Sequence, residues 1–367
     1  MMATIIRLTN RAFHRHPASD GADEQSGRSV ISTLEFSAAL LAAIALGSLL
    51  GFAPAAARAQ EKIVISSSSA YTQMPNRVGV EKGFFKEQGL DPEFKILPSG
   101  NNVVQALAGG SADFGDAAPS LFLAAIANKL PIVAIALHSW GNIGKLVASK
   151  ANENLTDLND FKGKHIGAQV GTGAYVVLML AIDHAGLKES DFKFSNIRVS
   201  EMPGAMQAGG FDAVMAWEPE ASRIVQTGLG KEVISSKKFE ELAHTTYPFL
   251  VLTTEKMIRE RPEVVQKYMN GFAKAQRFML ENEKQAGEIY RNSLPPEIGK
   301  QMTEAELHFQ LYSSSRYDHL VLNDRDLSDL RQFTEFMLRQ KMLNSKPELA
   351  SSINMTFAQK AAAALGK

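Results

Sequence analysis

The segment of the sequence best suited to bind an anion is Gly171-Thr172-Gly173-Ala174-Tyr175. It follows a predicted strand over 164–168 and opens a predicted helix over 174–184. The first N–H groups of a helix lack partners within it and carry partial positive charge, so they attract anions. A routine helix cap would use the same residues. The segment lacks the third glycine and the downstream acid of a dinucleotide fingerprint, which excludes that cofactor.

Two other loops hold a similar position after predicted strands. Consecutive hydroxyl groups over 66–69 offer neutral hydrogen-bonding groups, and the aromatic ring that follows can cover a ligand. Small residues over 117–120 permit close approach to another helix start, although Asp116 would repel an anion and is expected to cap that helix instead. A solvated loop and a plain cap are the alternative interpretations. The candidate contacts from both loops are Ser68, Ser69, Tyr71, Ala118 and Ser120.

Secondary candidates lie at other strand ends and at the two expected crossings between sheets. We expect Glu218 to accept a hydrogen bond from a ligand or to orient a donor, with helix capping as the alternative. The aromatic residues among the candidates favour an organic ligand over a small inorganic ion. These candidates are Asn101, Asn102, His138, Trp140, Trp217, Glu218 and Tyr247, together with Tyr175 of the first segment.

The composition argues against several kinds of chemistry. The chain has no Cys, which excludes disulfides, thiol nucleophiles and thiolate metal sites. The eight His are scattered, with no H-E-x-x-H spacing, and no G-x-S-x-G elbow occurs. The 39 basic residues balance the 39 acidic residues, so nucleic acid is not an expected partner. We therefore predict no enzymatic activity, no metal and no cofactor.

An uncharged apolar segment from Phe36 to Ala57 dominates the N-terminal region. Ala57 and Ala59 supply the small residues of an A-x-A cleavage site. We predict a signal peptide over residues 1–59, cleaved after Ala59, and hence an exported protein. An uncleaved membrane anchor is the alternative, because about 20 apolar residues can span a bilayer.

Strands alternate with helices of about ten residues from Lys62 onward, which predicts βαβ units on mainly parallel sheets. The rhythm restarts near Lys145, and a strand over 249–253 precedes an almost wholly helical region. We predict an α/β fold with two lobes and a ligand cleft between them. The first lobe would comprise 60–144 and 248–367, and the second would comprise 145–247.

Five segments carry recognisable motifs in order along the chain: Val80–Glu93, Ala106–Gly115, Leu158–Gly167, Val170–Gly173 and Gly209–Pro219. Together they resemble the motifs of ABC-transporter periplasmic solute-binding proteins of the nitrate/sulfonate/taurine type. That group shares its fold with thiamine-pyrimidine synthase proteins. Two departures stand out: Glu218 occupies a position where sulfonate binders often have Asp, and the Cys-rich motif of the synthases is absent.

The resemblance implies a monomer of the two-lobed periplasmic-binding-protein type that captures a small organic anion. Ligand would be held between the lobes by hinge closure and delivered to the transmembrane subunits of an ABC permease. Two alternatives remain open. One is a protein of the same fold that binds or synthesises a pyrimidine or thiamine precursor, and the other is a membrane-tethered ligand sensor.

Overall fold

The computed structural model describes residues 60–68, 73–141 and 144–366. The predicted signal peptide and the candidate contacts Ser69 and Tyr71 lie outside these residues. Within them, no helix combines the length and the apolar character needed to cross a membrane.

The first sheet is mixed. Its strands are β1 (Glu61–Ser68), β2 (Leu90–Leu97), β3 (Phe114–Ala117), β4 (Ile132–Trp140) and β10 (Pro248–Thr254). They lie in the order β2-β1-β3-β10-β4, with β1 parallel to both β2 and β3. β10 is antiparallel to both of its neighbours. It is the strand by which the chain returns from the second sheet.

The second sheet has the same organisation. Its strands are β5 (Lys145–Ser149), β6 (His165–Ala168), β7 (Lys193–Asn196), β8 (Ala213–Ala216) and β9 (Gly230–Ile234). They lie in the order β7-β6-β8-β5-β9, and β5 is antiparallel to β8 and β9. In each sheet, therefore, the antiparallel strand is the one that follows a crossing. The predicted α/β fold with two sheets is confirmed.

Helices flank both sheets. They are α1 (Met74–Glu81), α2 (Phe84–Glu87), α3 (Gly100–Ala108), α4 (Pro119–Ala127), α5 (Gly173–His184), α6 (Met202–Gln207), α7 (Glu220–Gln226), α8 (Ser236–Ala243), α9 (Glu255–Glu260), α10 (Pro262–Glu281), α11 (Glu283–Ser293), α12 (Pro296–Gly299), α13 (Glu304–His308), α14 (Asp324–Arg339), α15 (Leu349–Ser352) and α16 (Thr356–Ala364). A π-helix, Phe309–Ser314, continues α13. One apolar core runs from α4 through α5 to α14, so side chains from both sheets share it.

The two sheets repeat one local structure at corresponding places. Asp113 accepts a hydrogen bond from the backbone N–H of Val64 at 2.8 Å. Asp212 accepts the same bond from the N–H of His165, also at 2.8 Å. Each Asp follows a helix that ends at a glycine with positive φ, where a residue without Cβ is favoured. In the sequence, Gly109-Gly110 precedes Asp113 and Gly209-Gly210 precedes Asp212, so the two similar segments form the same αβ turn.

The two crossings between the sheets are hydrogen-bonded to each other. The N–H of Gly141 donates to the carbonyl of Thr246 at 2.7 Å. The Asp329 carboxylate of α14 accepts from both the N–H and the hydroxyl of Thr246. Tyr247 follows with a φ of 55°, a left-handed conformation that is uncommon for a residue with a side chain. The C-terminal helices thus hold the return crossing in a defined conformation.

An ionic cluster of Asp318, His319 and Asp326 connects the end of β4 to the start of α14. His319 lies between Asp318, at 3.1 Å, and Asp326, at 2.9 Å. Asp318 also accepts a hydrogen bond from the indole N–H of Trp140, and the Arg316 guanidinium lies 3.8 Å from the centre of the same ring. The hydrogen bond to Asp326 is the main cause that raises the pKa of His319; burial acts against it.

We predict that this cluster loses strength as the pH rises. Because the folded-state pKa of His319 is raised, its contribution is complete below the unfolded value of about 6.5 and is lost as the pH passes through the folded value. Between about pH 6 and pH 8, His319→Gln should therefore lose less stability than the native chain, by up to about 1 kcal/mol. Urea unfolding at several pH values measures this, and parallel curves for the two proteins would refute it.

Candidate ligand-binding site

The N-terminus of α5 is formed as the sequence predicts. Thr172 is the N-cap, and its hydroxyl accepts from the N–H of Tyr175 at 3.4 Å while donating to the carbonyl of Gln169 at 2.7 Å. Gly171, with a φ of 79°, makes the turn that leads into this cap. The first N–H groups of α5 have no acceptor within the helix.

Gly173 joins this helix start to the first sheet. A Cβ atom built on Gly173 would lie 1.5 Å from the hydroxyl oxygen of Tyr247 and 2.8 Å from the Cβ of Ala118. Only a residue without a side chain permits this approach. Ala118 is the N-cap of α4, so the N-terminal ends of α4 and α5 lie against each other.

The N-terminus of α3 also lies against the first turn of α4. A Cβ atom on Gly100 would lie 2.7 Å from the side chain of Leu121 in the first turn of α4. Neither α3 nor α4 has a side-chain hydrogen bond capping its first turn. The buried Ser120 hydroxyl has no hydrogen-bond partner among the described residues. Three helix N-termini from both sheets therefore meet, and we call this place the three-helix site.

Neutral groups dominate the three-helix site. The segments 99–102, 118–121 and 172–175 contain no charged side chain. Asn102 accepts from the Ser99 hydroxyl at 2.8 Å, and Asn101 is half-buried beside it. Backbone N–H groups and hydroxyls arranged in this way can bind an anion without a cationic residue. Ser68, half-buried, ends β1 at the same carboxyl edge of the sheet.

Asp116 does not cap α4, contrary to the sequence-based expectation. Its carboxylate is completely buried and accepts from the Ser67 hydroxyl and from the Asn76 amide, the latter at 3.3 Å. These partners are 40 or more residues away in the chain. Burial raises the pKa of Asp116 to about 7, although both hydrogen bonds act in the opposite direction.

Three residues that were predicted to contact the ligand pack against or hydrogen-bond to other side chains of the protein. β4 extends through Trp140 and pairs with β10, so His138 lies inside the sheet rather than at its end, with its ring near Phe249 and Phe272. Trp140 donates its indole N–H to Asp318 of the ionic cluster described above. Tyr175 donates its hydroxyl to Glu189 at 2.9 Å, and burial raises its pKa further than this bond does.

Glu218 belongs to a buried ion pair that the sequence did not reveal. Its carboxylate lies 2.8 Å from the ammonium of Lys145, which is also 2.9 Å from Glu232. Burial of Lys145 opposes its charge, but the two carboxylates prevail and raise its pKa. Glu218 also accepts from the N–H of Ser222 at 3.1 Å, so it caps the first turn of α7. A lysine that opens an apolar strand was the available signal for this pair. Trp217 is partly buried beside it.

Two mixed sheets joined by paired crossings, with helix N-termini meeting between them, define a protein of the periplasmic-binding-protein fold. The solved structure of the alkanesulfonate-binding protein of Xanthomonas axonopodis bound to MOPS superposes with a TM-score of 0.67 at 16% identity. That match covers 80% of this chain and 98% of the other.

The chain belongs to the NMT1/THI5-like family, whose model matches residues 72–286, more than half of the sequence. A relative from Brucella abortus, named only as a binding protein, is 29% identical over 231 residues, covering 62% of this chain and 70% of the relative. The taurine-binding periplasmic protein of Escherichia coli is 26% identical over 200 residues, covering 54% of this chain and 61% of that protein. The resemblance to periplasmic solute-binding proteins is confirmed.

Proposed function

We propose that this protein is the periplasmic solute-binding component of an ABC importer and that it captures a small organic anion at the three-helix site. The observation that carries the proposal is the contact of Gly173 with Tyr247 and Ala118, which brings the α5 N-terminus of the second sheet against the α4 N-terminus of the first. Sulfonates and taurine-like compounds are the first candidates, because relatives are named for them.

In this proposal the two lobes comprise 60–144 with 248–367, and 145–247. Anion binding at N–H groups contributed by both lobes favours the closed form, because the open form offers only part of these contacts. The closed monomer then docks on the transmembrane subunits of its permease. Export follows from the predicted cleavage after Ala59, and the protein binds its ligand without transforming it.

A thermal-shift screen of the chain from Gln60 onward tests this function. The panel contains taurine, other alkanesulfonates, aromatic carboxylates, nitrate and pyrimidines, each at millimolar concentration. A sulfonate or carboxylate at 100 times its Kd should stabilise the protein by about 2.7 kcal/mol. Stabilisation by neutral pyrimidines alone, or consumption of a panel compound, would contradict the proposal.

A further inference from the structure

The buried carboxyl of Asp116 is held by neutral partners. The Ser67 hydroxyl donates to one of its oxygens, and the Asn76 amide donates to the same oxygen at 3.3 Å. Asn76 in turn accepts from the Tyr268 hydroxyl at 2.7 Å. The other oxygen, Oδ1, is buried and has no hydrogen-bond partner among the described residues. A carboxylate in such surroundings is poorly compensated.

The described elements packed around Asp116 supply no cation to it. On α10 the facing titratable group is Tyr268, whose pKa burial raises well above its usual value. On α1 the Arg77 guanidinium pairs with a carboxylate of its own helix. On β10 the residue opposite is Val251, and His138 on β4 is two strands away in the sheet. Burial is accordingly the main cause that raises the pKa of Asp116 to about 7.

Asp116 lies close to the three-helix site. Only Ala117 separates it from Ala118, the N-cap of α4, and two positions along the chain span at most about 7 Å. A charge at Asp116 would therefore lie within the same positive field of the α4 N-terminus that an anion at the site would use. Two negative charges held near the same helix N-terminus in a partly buried place repel each other appreciably.

We propose that Asp116 makes the capture of an anion dependent on a proton: the site accepts an anion while the Asp116 carboxyl is neutral and binds it weakly once that carboxyl is ionised. This inference rests on the proposed function. It makes the ionisation of one residue, Asp116, the property that decides how tightly the site binds an anion. Above the pKa of the free protein, binding of the anion takes up a proton at Asp116, because each negative charge disfavours the other.

Calorimetric titration with ethanesulfonate and with nitrate, two anions of constant charge, tests this between about pH 6 and pH 8.5. In the native chain we expect the Kd to increase about tenfold over this range. Titrations at pH 8 in buffers of different ionisation enthalpy should show uptake of a fraction of a proton per anion. Asp116→Asn should bind with a nearly constant Kd and no proton uptake.

The matched control is Asp113→Asn, directly before the same strand, which removes a carboxylate bonded to the N–H of Val64. It should keep the pH dependence of the native chain. A pH-independent Kd in the native chain, or an unchanged pH dependence in Asp116→Asn, would overturn the inference while leaving the proposed function intact. Proton uptake is measured on the native chain, so it tests the inference even if Asp116→Asn fails to fold. Failure of both anions to bind at every pH would contradict ligand capture at this site, and the role of Asp116 would fall with it.

Discussion

Replacing Gly173 with Ala should weaken ligand binding about ten- to hundredfold while the protein remains folded. The added methyl group would lie 1.5 Å from the Tyr247 hydroxyl, at the return crossing, and 2.8 Å from the Ala118 methyl, in the first lobe. The α5 N-terminus must then move away from α4, because Tyr247 is itself buried and held in a left-handed conformation. The N–H groups of the two lobes would no longer converge on one anion.

Gly204→Ala is the matched control for this variant. Gly204 lies in α6, where a Cβ atom would have no neighbour within 4 Å. Alanine there should leave binding unchanged and stabilise the helix by up to about 1 kcal/mol. Circular dichroism and urea unfolding establish that both variants are folded, and calorimetric titration gives the two Kd values. Native affinity in Gly173→Ala would show that the close approach of the α4 and α5 N-termini is not needed for ligand binding.

Replacing Lys145 with Met should lower the free energy of unfolding by about 3 to 5 kcal/mol, the usual cost of stranding a buried charge. Glu218 is 1% exposed, and its carboxylate would lose the ammonium that lies 2.8 Å away in the native protein. Glu232, the second partner of Lys145, would add a nearby negative charge.

Lys231→Met serves as the control for charge and side-chain size. Lys231 lies on β9 of the same sheet and is exposed, so its removal should change stability by less than about 0.5 kcal/mol. The double variant Lys145→Met with Glu218→Gln should recover much of the lost stability, because no unpaired charge remains at position 218. Equal stability of Lys145→Met and Lys231→Met at pH 7 would show that the ion pair is dispensable.

Local patterns in the sequence predicted the parts of the site that depend on local structure. Gly171-Thr172-Gly173 predicted a strand, a glycine turn and a capped helix, because each feature involves residues within four positions of one another. The same holds for Pro119 at the start of α4. The alternation of strands and helices likewise predicted two sheets.

Local sequence patterns did not predict contacts between segments that are distant in the chain. Asp116 was expected to cap the helix that follows it, but its partners Ser67 and Asn76 come from β1 and α1. His138 was placed at a strand end, because nothing in the local pattern shows that β10 pairs with β4 as far as Trp140. The Lys145 pair with Glu218 depends in the same way on antiparallel pairing of β5 with β8.

Hydrogen–deuterium exchange with and without the sulfonate that stabilises the protein most tests the central claim directly. Ligand should slow exchange together in three peptides, covering 99–102, 118–121 and 172–175, because one anion occupies N–H groups at all three helix starts. Slowed exchange confined to peptides of a single sheet, with 172–175 unchanged, would contradict it.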